Sequence, residues 1–229
     1  MSIIAARLQA VQTRIQAAIA ASGRASETVR LIAVSKTFAA AAVREACDAG
    51  QLAFGENYLQ EALSKIEALK GLPLEWHFIG PIQSNKARAV AQNFSWVHSV
   101  DRLKLAERLS AARPKDLPPL QVCIQVNVSA ERSKSGCHPD ALPELAQALA
   151  QLPRLQLRGL MTIPAATTDA DVQHRQFALL RQLKDQQVLH GLALDTLSMG
   201  MSDDLEPAIA EGATMVRIGR AIFGPRAAR

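Results

Sequence analysis

Aromatic residues are scarce in this chain: one Tyr, two Trp and six Phe amount to 4% of its 229 residues. A groove that stacks single-stranded nucleic acid needs more such platforms. Cysteine is rarer still, and Cys47, Cys123 and Cys137 form no C-x-x-C pair. An odd, unclustered set argues against a disulfide framework and against a metal site. Charge of one sign is not concentrated either. The 26 Lys and Arg stand against 21 Asp and Glu, and the net +5 is scattered from Arg7 to Arg229 with no block of like charges. Scattered arginines read as solvated helix faces, so no nucleic-acid partner is expected. A mild positive surplus still suits a small anionic ligand.

Long apolar runs are missing as well. No segment approaches the roughly 20 apolar residues that cross a bilayer. The stretch MSIIAARLQAVQTRIQAAIAASGR has arginines and no acids, as some targeting peptides do, but its Ile4, Leu8, Val11, Ile15 and Ile19 recur at helical spacing. It therefore reads as a packed amphipathic helix. These absences lead to the expectation of a cytoplasmic protein in a reducing setting, without membrane contact; a monomer is expected as well.

What is present is a repeat of short apolar, β-branched runs: LIAVS, LAFG, EWHFIG, SWVHSV, LQVCIQVNVS, LQLRGLMTI, LDTLSMG and TMVRIG. Alanine- and leucine-rich segments of helical period lie between them. Strands alternating with helices pair in parallel, because parallel neighbours need a crossover. Eight such units in 229 residues predict an α/β fold. They suit a single (β/α)8 TIM-type barrel domain over 1–229, with the N-terminal helix as an addition. A doubly wound open sheet is the runner-up, but no G-x-G-x-x-G follows the first strand.

In such barrels function gathers at the C-terminal ends of the strands, with phosphate often held after strands 7 and 8. Strand 7 runs into SMGMSDD, whose Gly200 and Ser202 precede a short helix, and strand 8 runs into RIGRAIFG. There Gly219 permits close backbone approach, and the N–H groups of Gly219 and Arg220 open another helix. Glycines, hydroxyls and helix-opening N–H groups suit a phosphate dianion. Taken singly, each loop is as well explained by tight turns and helix caps. Strand 1 ends at Lys36, an amine that desolvation would favour in its neutral, nucleophilic form. Arg217 alternates with Val216 and Ile218, so it points the other way, into the barrel. A buried arginine must be paired or ligand-bound, and Glu56 or Asp195 is a possible carboxylate partner. An amine, a phosphate cradle and a buried arginine together suggest an aldehyde with a phosphate at one end and a ring nitrogen at the other. That is pyridoxal 5′-phosphate, whose binding pattern is a lysine imine with an Asp or Arg facing the ring nitrogen.

The motifs AVSKT, FGENYLQE, WHFIGPIQSNK, SKSG, RGLMTIP, SMGMSDD and MVRIGRAIFG, from about residue 30 to 224, closely resemble the pyridoxal phosphate homeostasis proteins. These are barrel-only relatives of the alanine racemase N-terminal domain. The resemblance implies a protein that binds pyridoxal phosphate without established turnover, keeping vitamin B6 pools balanced and supplying apo-enzymes. By position it implies Lys36 as the imine lysine, Asn57 along the cofactor's face and Arg217 at the ring nitrogen. Ser198 and Ser202 become phosphate-side hydroxyls, and the backbone of Gly219 and Arg220 completes the cradle. Many relatives carry a small hydroxyl residue where Arg220 stands, so Arg220 is expected to offer charge to the phosphate instead.

The alternative is an amino-acid racemase. It would need a second base opposite Lys36, which related enzymes draw from a further domain; here the chain ends at Arg229. Tyr58, the only tyrosine, is expected to pack under the helix after strand 2, and His77, His174 and His190 to be structural or solvated. Lys134, in the polar loop 129–140, reads as an ordinary loop lysine.

Overall fold

The computed structural model describes residues 2–25, 28–129, 131 and 134–225. Residues 130, 132 and 133 of the polar loop, and 226–229 at the end of the chain, lie outside the described residues. Eight strands, β1 (Arg30–Val34), β2 (Ala53–Glu56), β3 (Glu75–Phe78), β4 (Trp96–Val100), β5 (Leu120–Gln125), β6 (Leu155–Met161), β7 (Thr196–Ser198) and β8 (Met215–Ile218), form a closed barrel in chain order. Every pairing is parallel, and β1 closes on β8 with Ile32 opposite Arg217. Closure excludes the open-sheet alternative. Strands 5 and 6 are shorter than their apolar runs: β5 stops at Gln125, after which Val126 makes one isolated bridge to Cys137, and β6 stops one residue before Thr162.

Helices α2 (Ala40–Asp48), α3 (Leu59–Ala68), α4 (Ala87–Asn93), α5 (Leu103–Ala112), α6 (Leu142–Ala150), α7 (Ala170–Leu189), α8 (Leu205–Ala210) and α9 (Arg220–Phe223) follow the strands in turn. The added helix α1 (Ile3–Ala21) packs against α2, α8 and α9 through Leu8, Val11, Ile15 and Ile19, the stripe its periodicity predicted. Each such buried aliphatic side chain is worth about 2 kcal/mol of transfer free energy. Ser2 caps α1 by accepting from the Ala5 N–H at 3.1 Å. Arg14 of α1 reaches Glu206 of α8 at 2.7 Å and the Ser202 carbonyl at 3.1 Å.

Strand alternation divides the core in two. Outward residues such as Ala33, Val97, Leu197, Val216 and Ile218 pack under the helices. Inward residues Ile32, Ala53, Trp96, Cys123, Met161 and Met215 form a separate apolar cluster within the barrel. Beside it other inward positions are polar: His77, level with Trp96, Ser198, level with Met161, Arg217, level with Ile32, and His98 are all buried. Among the described residues no helix is long and apolar enough to cross a membrane.

Candidate functional site

A cavity of about 420 Å³ opens at the C-terminal ends of the strands. Val34 lines it from β1 and Lys36 from the turn after it, Asn57 from the turn after β2, Ile79 and Ile163 from those after β3 and β6. Ser202 and Asp203 contribute after β7, Arg217 from β8 itself, and Gly219 and Arg220 beyond it. Six of the seven residues singled out from the sequence therefore meet in one pocket. Ser198 is the exception. It is fully buried, and its hydroxyl oxygen lies 2.7 Å from both Arg217 Nη1 and His98 Nδ1, so it is engaged inside the barrel and does not line the pocket.

The backbone around Lys36 is held by a cluster that sequence reasoning missed. Ser35 Oγ donates to Glu56 Oε1 at 2.6 Å. The buried Lys65 ammonium donates to that same oxygen and to the Ser35 carbonyl, both at 2.7 Å, and to Glu61 Oε1 at 2.5 Å. Glu61 in turn accepts from the Thr37 N–H at 2.6 Å. Thr37 sits at φ 70, a left-handed conformation costing a non-glycine residue about 1–3 kcal/mol, and the Glu61 bond helps hold it there. Burial raises the pKa of Glu56, opposed by its bonds from Lys65 and Ser35. The available signal was Glu61 and Lys65 at i, i+4 spacing, but that pattern ordinarily marks a solvated face.

Arg217 forms the floor of the pocket. Its guanidinium donates to Ser198 Oγ at 2.7 Å and to the Thr162 carbonyl at 2.8 Å. Burial brings its pKa down to about 10, which leaves it protonated at neutral pH. Neither carboxylate proposed as its partner is available: Glu56 pairs with Lys65, and Asp195 pairs with Arg158.

Two glycines shape the backbone after β7 and β8. Gly200 adopts φ +91, and a Cβ there would stand 2.6 Å from Ala208 Cβ. A Cβ on Gly219 would stand 3.2 Å from the Val34 carbonyl oxygen. Gly219 opens α9, whose first N–H groups have no acceptor within the helix. Arg220 is exposed and pairs with Asp203, so the charge it offers at the pocket rim is shared with a carboxylate. Asn57 Oδ1 is buried with no donor among the described residues, an acceptor left open beside the cavity.

Residues weighed as second bases stand elsewhere. Tyr58 is exposed, not packed under α3, and lines a neighbouring groove with Lys86 and Arg102. His77 is buried within the barrel, His174 lies 2.9 Å from Glu211, and His190 ends α7. Lys134 is half-buried, its amide donating to the Glu131 carbonyl. Cys123 and Cys137 are buried free thiols, pushed by that burial to about 12 and about 11.

An amine, a guanidinium, an open amide oxygen and glycine-shaped turns make a donor set that fits a phosphorylated aromatic aldehyde. Comparison with known proteins points the same way. Residues 7–227 match the model of the alanine racemase N-terminal domain. The chain is 63% identical over 226 residues to a pyridoxal phosphate homeostasis protein of Pseudomonas aeruginosa, covering 99% of this chain and 97% of that one. It is 53% identical over 234 residues to the protein of that name from Escherichia coli K12, covering 99% and 98%. Among solved structures, PipY of Synechococcus elongatus PCC7942 with PLP bound superposes with a TM-score of 0.83 at 41% identity, covering 96% of this chain and all of that one, 100%.

Proposed function

This chain belongs to the pyridoxal phosphate homeostasis family, built on the alanine racemase N-terminal domain, and from that premise we propose that its barrel binds pyridoxal 5′-phosphate in order to hold it. The observation that carries the reading is the meeting of Lys36, Arg217, Ser202 and Gly219 in one cavity of about 420 Å³. When bound, the cofactor supplies an electrophilic aldehyde carbon. Lys36 is the amine that would hold that carbon covalently as an imine. Arg217 donates to the ring nitrogen as a fixed cation. Ser202, with the N–H groups of Gly219 and Arg220, receives the phosphate. Asn57 borders the ring, its open Oδ1 accepting from a ligand hydroxyl.

The holding role, as opposed to turnover, is supported by the pocket's own inventory. Its titratable side chains among the described residues are Lys36, Asp203, Arg217 and Arg220, and Asp203 is already paired with Arg220. A racemase needs a second base opposite the lysine, and no described histidine or tyrosine lines the cavity. The cofactor would thus be stored in a cytoplasmic setting and released to apo-enzymes. Borohydride reduction of the loaded protein followed by peptide mapping tests this reading. A pyridoxyl group on the Lys36 peptide, absent in Lys36→Ala, is expected; labelling elsewhere, or alanine racemisation on the order of 1–1000 per second, would contradict it.

A further inference from the structure

Beneath Arg217 the barrel interior holds a line of polar groups that crosses to its other end. Ser198 Oγ, which Arg217 Nη1 approaches at 2.7 Å, lies 2.7 Å from His98 Nδ1. His98 Nε2 lies 2.9 Å from His77 Nδ1, and His77 Nε2 lies 2.7 Å from Glu75 Oε1. Glu75 begins β3 at the N-terminal mouth, where Arg30 also donates to it at 2.7 Å. Both imidazoles are completely buried, and His77 stacks on Trp96 with ring centroids 5.6 Å apart. A pair of buried histidines in direct contact is not required to fill a barrel, since the neighbouring inward positions are filled by apolar side chains.

The ends of the line fix its direction. Arg217 can only donate, so Ser198 Oγ accepts from it and its own hydroxyl proton is free to go to His98 Nδ1. His98 then carries its proton on Nε2 and donates to His77 Nδ1. His77 likewise carries its proton on Nε2, which meets the Glu75 carboxylate in a close electrostatic contact at 2.7 Å that is not aligned as a hydrogen bond. In the reverse direction with neutral rings, a histidine lone pair would face the Glu75 carboxylate across 2.7 Å. Burial opposes ionisation of Glu75, but His77 and Arg30 outweigh it and bring its pKa to about 2, so the carboxylate is charged. Burial also lowers the pKa of both histidines, that of His98 well below 6.5, which keeps the two rings neutral.

We propose that Ser198, His98 and His77 are positioning residues for Arg217: a one-directional chain of neutral hydrogen bonds that ends in the close electrostatic contact of His77 with Glu75 and pins the guanidinium on the pocket floor. Because the chain is neutral, it fixes the orientation of Arg217 without cancelling its charge, which stays available to the ligand. The proposal rests on the reading of Arg217 as the group facing a bound ring, and its test separates the two.

The first measurement uses the ligand-free wild-type protein at pH 7. Nitrogen-15 NMR of the side chains is expected to show both His77 and His98 as Nε2–H tautomers with slowly exchanging protons. An Nδ1–H tautomer or an imidazolium at either ring would overturn the proposal whatever the ligand. The second measurement compares two variants by pyridoxal phosphate affinity and by the absorption band of the loaded protein. Gln accepts and donates through adjacent atoms much as the ring does, so His98→Gln should bind within about twofold of wild type. His98→Leu should bind about tenfold more weakly, a loss worth one such hydrogen bond. Equal losses in both variants, or none in either, would overturn the positioning role even if Lys36 labelling is unchanged.

Discussion

The two walls of the pocket are steadied by opposite means. Around Lys36, order comes from buried charges, with one ammonium holding two carboxylates and a carbonyl. Under Arg217, order comes from neutral groups running in file to a single distant carboxylate. Ion clusters are strong but brittle, because removing one member strands another charge in a dry interior. Neutral chains give less stability per link, and each link matters mainly to the group at its end. The side built by β1, β2 and α3 therefore serves the fold and the site together, whereas the interior chain serves chiefly the site.

Lys65→Met should break this contrast hardest. Glu56 would lose its buried partner, and the urea midpoint should fall by the equivalent of about 3–5 kcal/mol. The double variant Lys65→Met with Glu56→Gln should recover much of that loss; a small effect of the single change would remove the distinction. Ser198→Ala is the matching cut on the other wall. It leaves an Arg217 donor unpaired, costs about 1–3 kcal/mol, and should weaken ligand retention more than its effect on unfolding suggests.

Acid sharpens the comparison further. The folded pKa values of His77 and His98 lie below 6.5, so between that value and their own pKa the unfolded chain binds protons that the folded chain refuses. Stability should therefore decline as pH falls below about 6.5, and the decline should be shallower in His98→Gln. Glu75 adds a second loss between 4.5 and about 2, where the unfolded carboxyl is protonated and the folded one is not. Equilibrium unfolding at a series of pH values reads both windows. Thiol labelling gives the smallest signal. Half-exposed Cys47 should react readily at pH 8, while Cys123, held near 12 inside the barrel, should react only on global opening. Lys65→Met should speed the Cys123 reaction clearly, and Ser198→Ala only slightly.

The barrel was legible because each strand is a short apolar run and each helix a 3.6-residue stripe. The pocket residues at strand tips followed from that count. The interior chain was harder to see. In SWVHSV the alternation places His98 inward with Trp96, on the side Arg217 takes in β8, but sequence does not say which inward residues meet across the barrel. Ser198 shows the same limit. Its strand position was read correctly, yet its hydroxyl is committed beneath the pocket. Lys65 was hidden for another reason: an i, i+4 pair on a helix becomes a buried clamp only once Glu56 of the neighbouring strand is brought against it.

Closure of β1 on β8 has a consequence for when the protein can work. Lys36 leaves the ribosome early and Arg217 late, so the two sides of the site share no neighbourhood until the last strand has docked. A partly made or unzipped barrel offers the amine without the floor beneath it. On the proposed site, ligand occupancy would count only finished barrels, and a bound cofactor would tighten the seam between β1 and β8.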